Sequence, residues 1–371
     1  MLLLYKLTIF TFIINLILTE ETKKCRVLAL EGGGDRGAFQ AGAINGLVNN
    51  LPAEEVQWDV VTGISIGSIN ALMFGVYPVG NETNASNDLV EHWRTISSSN
   101  VYQNWPYLGP LYGLMFENSL YDTSNGFTFL NKTINQYDGL KRDVIFGTTN
   151  VKTAKYETFT NKDIKTSDDL ANTLLSSAAI PALFPFGSFR NNSYMDGGVS
   201  FPVDIFSGVN KCEEKGFAQK DIIVDIILCV NTTIEIDNPK SLSPVGSLFR
   251  FMEIFTYDLV MGAIADTKLY MEDVTIRYVI APLRSMPVSL VPITFWHTDI
   301  ETMIKYGQED AKTIIAEGEE VHANELIRKK NTSKVNTYAS YLEKKELKMK
   351  EDKEIKEKMM NSNLRANNVN K

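Results

Sequence analysis

The chain has 371 residues, enough for one large domain or two ordinary ones. A hydrophobic fraction of 44% and a charged fraction of 22% can build a sizeable core, which excludes a disordered chain. The net charge of −8 argues against a nucleic-acid partner, because neutralising phosphates takes clustered Lys and Arg.

At the N-terminus, Leu7 to Leu18 (LTIFTFIINLIL) is a short apolar run behind Lys6 and ahead of Thr19-Glu20-Glu21. A spanning helix needs roughly 20 apolar residues, so residues 1–20 read as a secretory signal peptide. Leu18 and Thr19 stand where small residues mark a cleavage site, which leaves an uncleaved anchor as the alternative. No later run is long and apolar enough to span a bilayer, predicting a soluble or peripheral mature chain. The expected location is the secretory pathway, either secreted or in a vesicular, lysosome-like compartment. Asn-x-Ser/Thr sequons at Asn81, Asn84, Asn131, Asn191, Asn231 and Asn331 agree with that route.

Cys25 to Leu30 (CRVLAL) is apolar and strand-like and runs into Glu31-Gly32-Gly33-Gly34. Ala38 to Leu51 then reads as a helix, Trp58 to Ile64 as a buried strand and Ile66 to Val76 as a second helix. Asp143 to Asn150, Asp221 to Val230 and Val274 to Ala281 are further strand-like runs. Helical patterns at Asp88 to Ile96 and Asp168 to Ala179 lie among them. Near-continuous apolar strands alternating with helices predict an α/β sheet covered on both faces. From about Glu317 the composition changes, and Lys344 to Lys358 is almost all Lys and Glu. Residues 25–316 are therefore read as one domain, and 317–371 as a charged tail, helical or disordered. The three cysteines, Cys25, Cys212 and Cys229, allow at most one disulfide, and their spacing fits no metal site.

Three motifs carry chemistry. Gly32-Gly33-Gly34-Asp35-Arg36-Gly37 lies between a strand and a helix, where backbone N–H groups at the helix start stabilise an anion. Alone it also satisfies the dinucleotide pattern G-x-G-x-x-G, or a plain tight turn. Gly63-Ile64-Ser65-Ile66-Gly67, again at a strand end, has the form of a nucleophile elbow that exposes the serine oxygen on a strained turn. Tyr194-Met195-Asp196-Gly197-Gly198 reads by itself as a turn. A serine hydroxyl is a poor nucleophile without a base. Besides Asp196, the chain offers His92, His297 and His322. His92 sits in a helical pattern beside Trp93 and His322 in the charged C-terminal region, which marks both as structural or surface residues.

The order of these motifs, with Ser68-Ile69-Asn70-Ala71 after the elbow, resembles the patatin-like phospholipases. Ser176-Ser177-Ala178-Ala179-Ile180-Pro181-Ala182-Leu183-Phe184-Pro185 is similar to the stretch before that family's aspartate. The resemblance covers roughly Arg26 to Pro202. It implies a three-layer α/β/α sandwich with a central, mostly parallel sheet, akin to cytosolic phospholipase A2 catalytic domains. It implies a Ser-Asp dyad, with Ser65 as nucleophile and Asp196 as base. An oxyanion hole would come from the loop Gly32, Gly33, Gly34, Asp35, Arg36 and Gly37, with Arg36 holding it. It implies no metal and no cofactor, and a lipid substrate met at a membrane or micelle surface. The family commonly has Asn-Pro shortly after the aspartate where this chain has Phe201-Pro202, a difference that bears on loop geometry and rate more than on reaction type.

Tyr102 to Tyr121 (YQNWPYLGPLYGLMFENSLY) is crowded with aromatic and apolar residues. Three roles fit: lining an acyl-chain pocket, dipping into a lipid surface, or ordinary core packing. Rival readings of the whole are an α/β-hydrolase triad of Ser65, Asp196 and His297, a Rossmann oxidoreductase, and a non-catalytic lipid-binding or storage protein.

Overall fold

The computed structural model describes residues 23–232, 242–287 and 293–330. The apolar run Leu7–Leu18, the Lys/Glu stretch Lys344–Lys358 and the sequon at Asn331 lie outside the described residues. The chain divides into two units, Met1–Ala323 and Asn324–Lys371. In the second, residues 324–330 are described and are helical.

In the first unit, β1 (Cys25–Leu30) leads into α1 (Gly37–Asn50), and β2 (Val60–Ile64) into α2 (Ile66–Gly75). Next come α3 (Glu82–Thr95), α4 (Ser98–Val101), and a small hairpin of β3 (Gln103–Asn104) and β4 (Tyr121–Asp122) that encloses α5 (Pro110–Phe116). Then follow α6 (Ser124–Ile134), β5 (Asp143–Asn150), β6 (Tyr156–Thr160) and α7 (Ser167–Ser177). After them come β7 (Gly187–Phe189), β8 (Asn192–Asp196), α8 (Ile205–Glu214) and β9 (Ile222–Ile227). The last described elements of this unit are α9 (Pro244–Tyr270), β10 (Thr275–Ile280) and α10 (His297–Glu317).

The main sheet is eight-stranded, in the order β10-β9-β1-β2-β5-β8-β7, with β6 also paired to β5. The strands from β10 to β5 are parallel, while β6, β7 and β8 are antiparallel additions. The parallel strands are apolar on both faces because helices cover both, as the alternation predicts. On one face α1 packs against α10 and α3. The α1–α10 crossing is close enough that a Cβ on Gly42 would collide with the Ile304 carbonyl, and one on Gly307 with Phe39 O. On the other face α8 lies against β1, β2 and β9, and Thr62 Oγ1 donates to Asp204 O at 2.6 Å. Helices, sheet and helices form a three-layer α/β/α sandwich. A disulfide joins Cys25 at the start of β1 to Cys212 on α8, and Cys229 is free and buried.

Candidate active site

Parallel strands deliver their C-terminal ends to one edge of the sheet, and three motifs meet there. The elbow between β2 and α2 holds Ser65 at φ 54° and ψ −124°, a conformation that costs a non-glycine residue of order 1–3 kcal/mol. The turn is possible only without side chains on its flanks. A Cβ on Gly63 would strike the Gly67 carbonyl, and one on Gly67 would lie 2.5 Å from Leu30 O and 2.6 Å from Glu31 O. Ser65 O is held by Ser68, whose backbone N–H and hydroxyl both donate to it.

Sequence reasoning assigned no role to Ser177, at the end of α7. Its hydroxyl accepts the Ser65 backbone N–H at 2.9 Å and donates to Gly147 O on β5 at 2.7 Å. Its position in the stretch before Asp196 is the only sequence signal it carries. β5 also pairs with β8, where Thr148 stands opposite Asp196. The Ser65 turn and Asp196 are thus both anchored to β5. The Asp196 backbone N–H donates to Ala179 O at 2.9 Å, and its carboxylate accepts the Gly198 N–H at 2.8 Å. Gly197 packs on Gly147 so closely that a Cβ there would lie 2.5 Å from Gly147 O.

Ser65 and Asp196 are both buried, and the Ser65 hydroxyl lies near enough to the Asp196 carboxylate to pull its titration down. Burial pushes Asp196 up to about 6, against the opposing pull of the Ser65 and Gly198 hydrogen bonds. No histidine is among the groups that bond Asp196 or move its titration. His297 is exposed on the first turn of α10, His92 bonds Asp88 O through Nδ1, and His322 is buried against Val279 O.

The glycine-rich loop crosses in front of the elbow. The Gly32 N–H donates to Pro202 O at 3.1 Å, and the Gly37 N–H to the Gly34 and Asp35 carbonyls. Among the described residues, the Gly33 and Gly34 N–H groups have no internal acceptor. Asp35 is buried and accepts the Thr294 N–H at 3.3 Å. Glu31, just before the glycines, is fully buried, bonds the Cys229 and Val230 N–H groups, and is pushed by burial up to about 7, with the Arg36 charge opposing. Gly33 fits because Cys229 sits directly on it, and a Cβ would overlap the Cys229 side chain. Where the resemblance leads one to expect Asn-Pro, Phe201 packs edge-on against Tyr156 at 5.5 Å, while Pro202 supplies the carbonyl that Gly32 bonds.

A cavity of about 90 Å³ opens beside the elbow. Its wall includes Ile66, Ile69 and Met73 of α2, Trp93 of α3, Leu130 of α6 and Phe184. The residue after Ser65 and the residue after Ser177 both line it, so the apolar space lies next to the elbow. Asn70 is a polar exception in the wall, satisfied by Gly37 O, Gln40 and the Trp93 indole. His92 also lines it. Among the described residues no cluster of three or more His, Cys, Asp or Glu side chains has the arrangement to hold a metal ion.

Three comparisons with known proteins bear on this chain. Residues 28–207 match the family model described as patatin-like phospholipase, a span that contains the glycine-rich loop, the elbow and the Asp196 turn. "Probable lipid hydrolase 463L" of Invertebrate iridescent virus 6 is 27% identical over 227 residues, spanning 57% of this chain and 72% of the viral one. VipD from Legionella pneumophila is similar in structure at a TM-score of 0.38 and 12% identity, over 80% of this chain and 67% of VipD. A likeness that loose adds nothing to the fold, which rests on the sheet order and register above. Residues 28–207 of the chain are thus similar to the patatin-like phospholipase family.

Proposed function

We propose that the protein is a lipid acyl hydrolase that cleaves carboxylic esters through an acyl-serine intermediate. The observation that carries this reading is the strained elbow that sets the Ser65 hydroxyl near a buried carboxylate, Asp196, next to an apolar cavity that Ile66 lines. The family and the viral lipid hydrolase support the substrate class.

Above pH 6 Asp196 is ionised and accepts the Ser65 proton as Oγ attacks the ester carbonyl. The oxyanion forms beside Gly33 and Gly34, whose N–H groups are its donors; losing one such donor typically costs on the order of 3 kcal/mol. Collapse of this intermediate expels the alcohol, which takes the proton from Asp196 and leaves an acyl-Ser65. Water then gives a proton to Asp196 as it attacks the acyl carbon. The fatty acid leaves, and the proton returns to Ser65. The acyl chain lies in the cavity along Ile66, Ile69 and Met73, which excludes water from it.

The direct test is labelling by a fluorophosphonate probe. Native protein labels and Ser65→Ala does not; an unlabelled native protein would sink the reading. We further propose a secretory route, supported by the Cys25–Cys212 bridge, since disulfides persist in oxidising compartments. A chain recovered from cells with both thiols alkylatable would contradict it.

A further inference from the structure

We propose that the hairpin between α4 and α6 is a docking element for an electrically neutral lipid surface, delivering acyl chains from that surface to the Ser65 cavity. The proposal rests on the acyl-hydrolase reading for its purpose and on separate observations for its geometry. Sequence patterning left this segment between core packing, pocket lining and surface contact; the structure divides it. Its stems pack inward, with Tyr102 at 4.7 Å from Tyr121 and 5.8 Å from Phe184. Its tip faces water. Tyr107 is 96% exposed, Leu114 70% and Phe116 64%, and Leu108, Leu111 and Met115 are exposed beside them.

The tip is built to stand there. β3 and β4 pair at its base, Trp105 Nε1 donates to Ser119 O at 3.1 Å, and α5 is seated on its own hairpin through Gly113. The Leu120 and Tyr121 N–H groups donate to Ala182 and Leu183 O at 2.9 and 3.0 Å. Tyr107 is held at φ 66°, an unfavourable backbone for a bulky residue whose ring touches almost no neighbour but Tyr112. Strain spent on exposing an aromatic ring marks a surface meant to be covered.

Position and charge choose the occupant. Val101 and Thr123, at the two feet of the hairpin, line the cavity, as does Phe184. The segment the hairpin leans on leads back to Ala179, whose carbonyl holds the Asp196 backbone. The feet of the hairpin thus share the cavity wall, with the polar cluster of Gln103, Asp122 and Ser124 beside them. From Tyr102 to Thr123 there is no Lys or Arg and two acids, Glu117 and Asp122, on a chain of net charge −8. Anionic lipid gains nothing from such a surface, whereas a neutral or zwitterionic one accepts its Leu, Met, Phe and Tyr side chains. α9 also exposes Leu248, Phe251 and Phe255, but an Arg250–Glu253 ion pair lies among them and none of its residues lines the cavity.

The test uses the full chain and phosphatidylcholine vesicles. Ser65→Ala, which leaves the lipid intact, is compared by co-sedimentation with the same protein carrying Leu114→Asp and Phe116→Asp, and with one carrying Tyr107→Asp. The expected result is an apparent Kd raised at least about tenfold in the double variant, with vesicle binding by the parent unchanged between about 0.05 and 0.5 M salt. With Ser65 present, the same tip substitutions leave hydrolysis of the soluble ester p-nitrophenyl butyrate intact, which also shows that they fold. Equal vesicle binding by parent and variants overturns the proposal. So does binding that requires phosphatidylserine and disappears in salt, and so does a parent that ignores vesicles, in which case the tip meets a protein. Loss of soluble-ester hydrolysis by the native protein instead overturns the acyl-hydrolase reading, and vesicle binding still judges the surface.

Discussion

Asp196 works against its own surroundings. A carboxylate in water titrates near 3.9, and burial in this site lifts it to about 6. A base must be ionised to accept the Ser65 proton, so kcat/KM should rise with pH through an inflection near 6 and then level off; a flat profile from pH 5 to 8 would remove Asp196 as the base. The same shift has a stability cost of opposite use. The folded chain holds the proton more tightly than the unfolded one, so the contribution is complete below about pH 4 and is lost as pH rises through about 6, by up to about 3 kcal/mol. Asp196→Asn should therefore be inactive, by about 10³-fold or more, yet gain in urea midpoint relative to native as pH goes from 4 to 7. Comparing the two chains cancels the parallel contribution of buried Glu31. His297 is exposed and outside the bonds of Asp196. Its replacement by Ala should leave kcat within about twofold, and near-complete loss would restore the triad.

Between residues and the whole molecule stand the turns. The β2–α2 elbow is strained at Ser65 and admits no methyl group at Gly67 without displacing the β1 carbonyls. Gly67→Ala should cost about 2–4 kcal/mol in chemical denaturation and abolish fluorophosphonate labelling. Ser177 clips this turn to β5 by two buried hydrogen bonds. Ser177→Ala strands the Ser65 N–H and the Gly147 carbonyl, a loss of about 1–3 kcal/mol, and should lower kcat while KM for a soluble ester stays nearly constant. Both changes act through shape, without touching the atoms that react. The elements that carry the site were legible where their patterns were strong. β1, β2, β5, β9 and β10 fall on the apolar runs of the sequence, and α1, α2 and α7 on the helical ones. β6 and β7 lack such runs, being short, antiparallel and half-buried, and β8 was visible only as the Asp196 motif. Sequence analysis assigned no helix to His297–Glu317, although Ile300, Met303, Ile304, Ala311 and Ile314 carry helical spacing; the charged residues between them dilute the pattern.

The molecule is assembled from distant pieces of chain. Cys25 and Cys212 are 187 residues apart and join the first strand to the helix on the back of the sheet. Replacing both by Ala should cost about 2–4 kcal/mol and lower Tm, and a reductant should lower the native Tm in the same way. Sequence could say only that one bridge at most was available and that one thiol would remain. The glycine loop, the elbow and the aspartate turn were legible as motifs because each is a local solution to a local steric problem, written in consecutive residues. So was the α/β class, since burial on both faces of a parallel strand demands an unbroken apolar run. Tertiary structure alone decided what those motifs share. β5 lies between β2 and β8, and this brings Asp196 beside Ser65 and lets Ser177 hold the turn. It alone decided that Ile66, Ile69 and Met73 line a cavity, and that the aromatic hairpin turns its tip outward. An apolar side chain has the same composition whether it faces a core, a cavity or water. Only its neighbours, brought from elsewhere in the chain, distinguish the three.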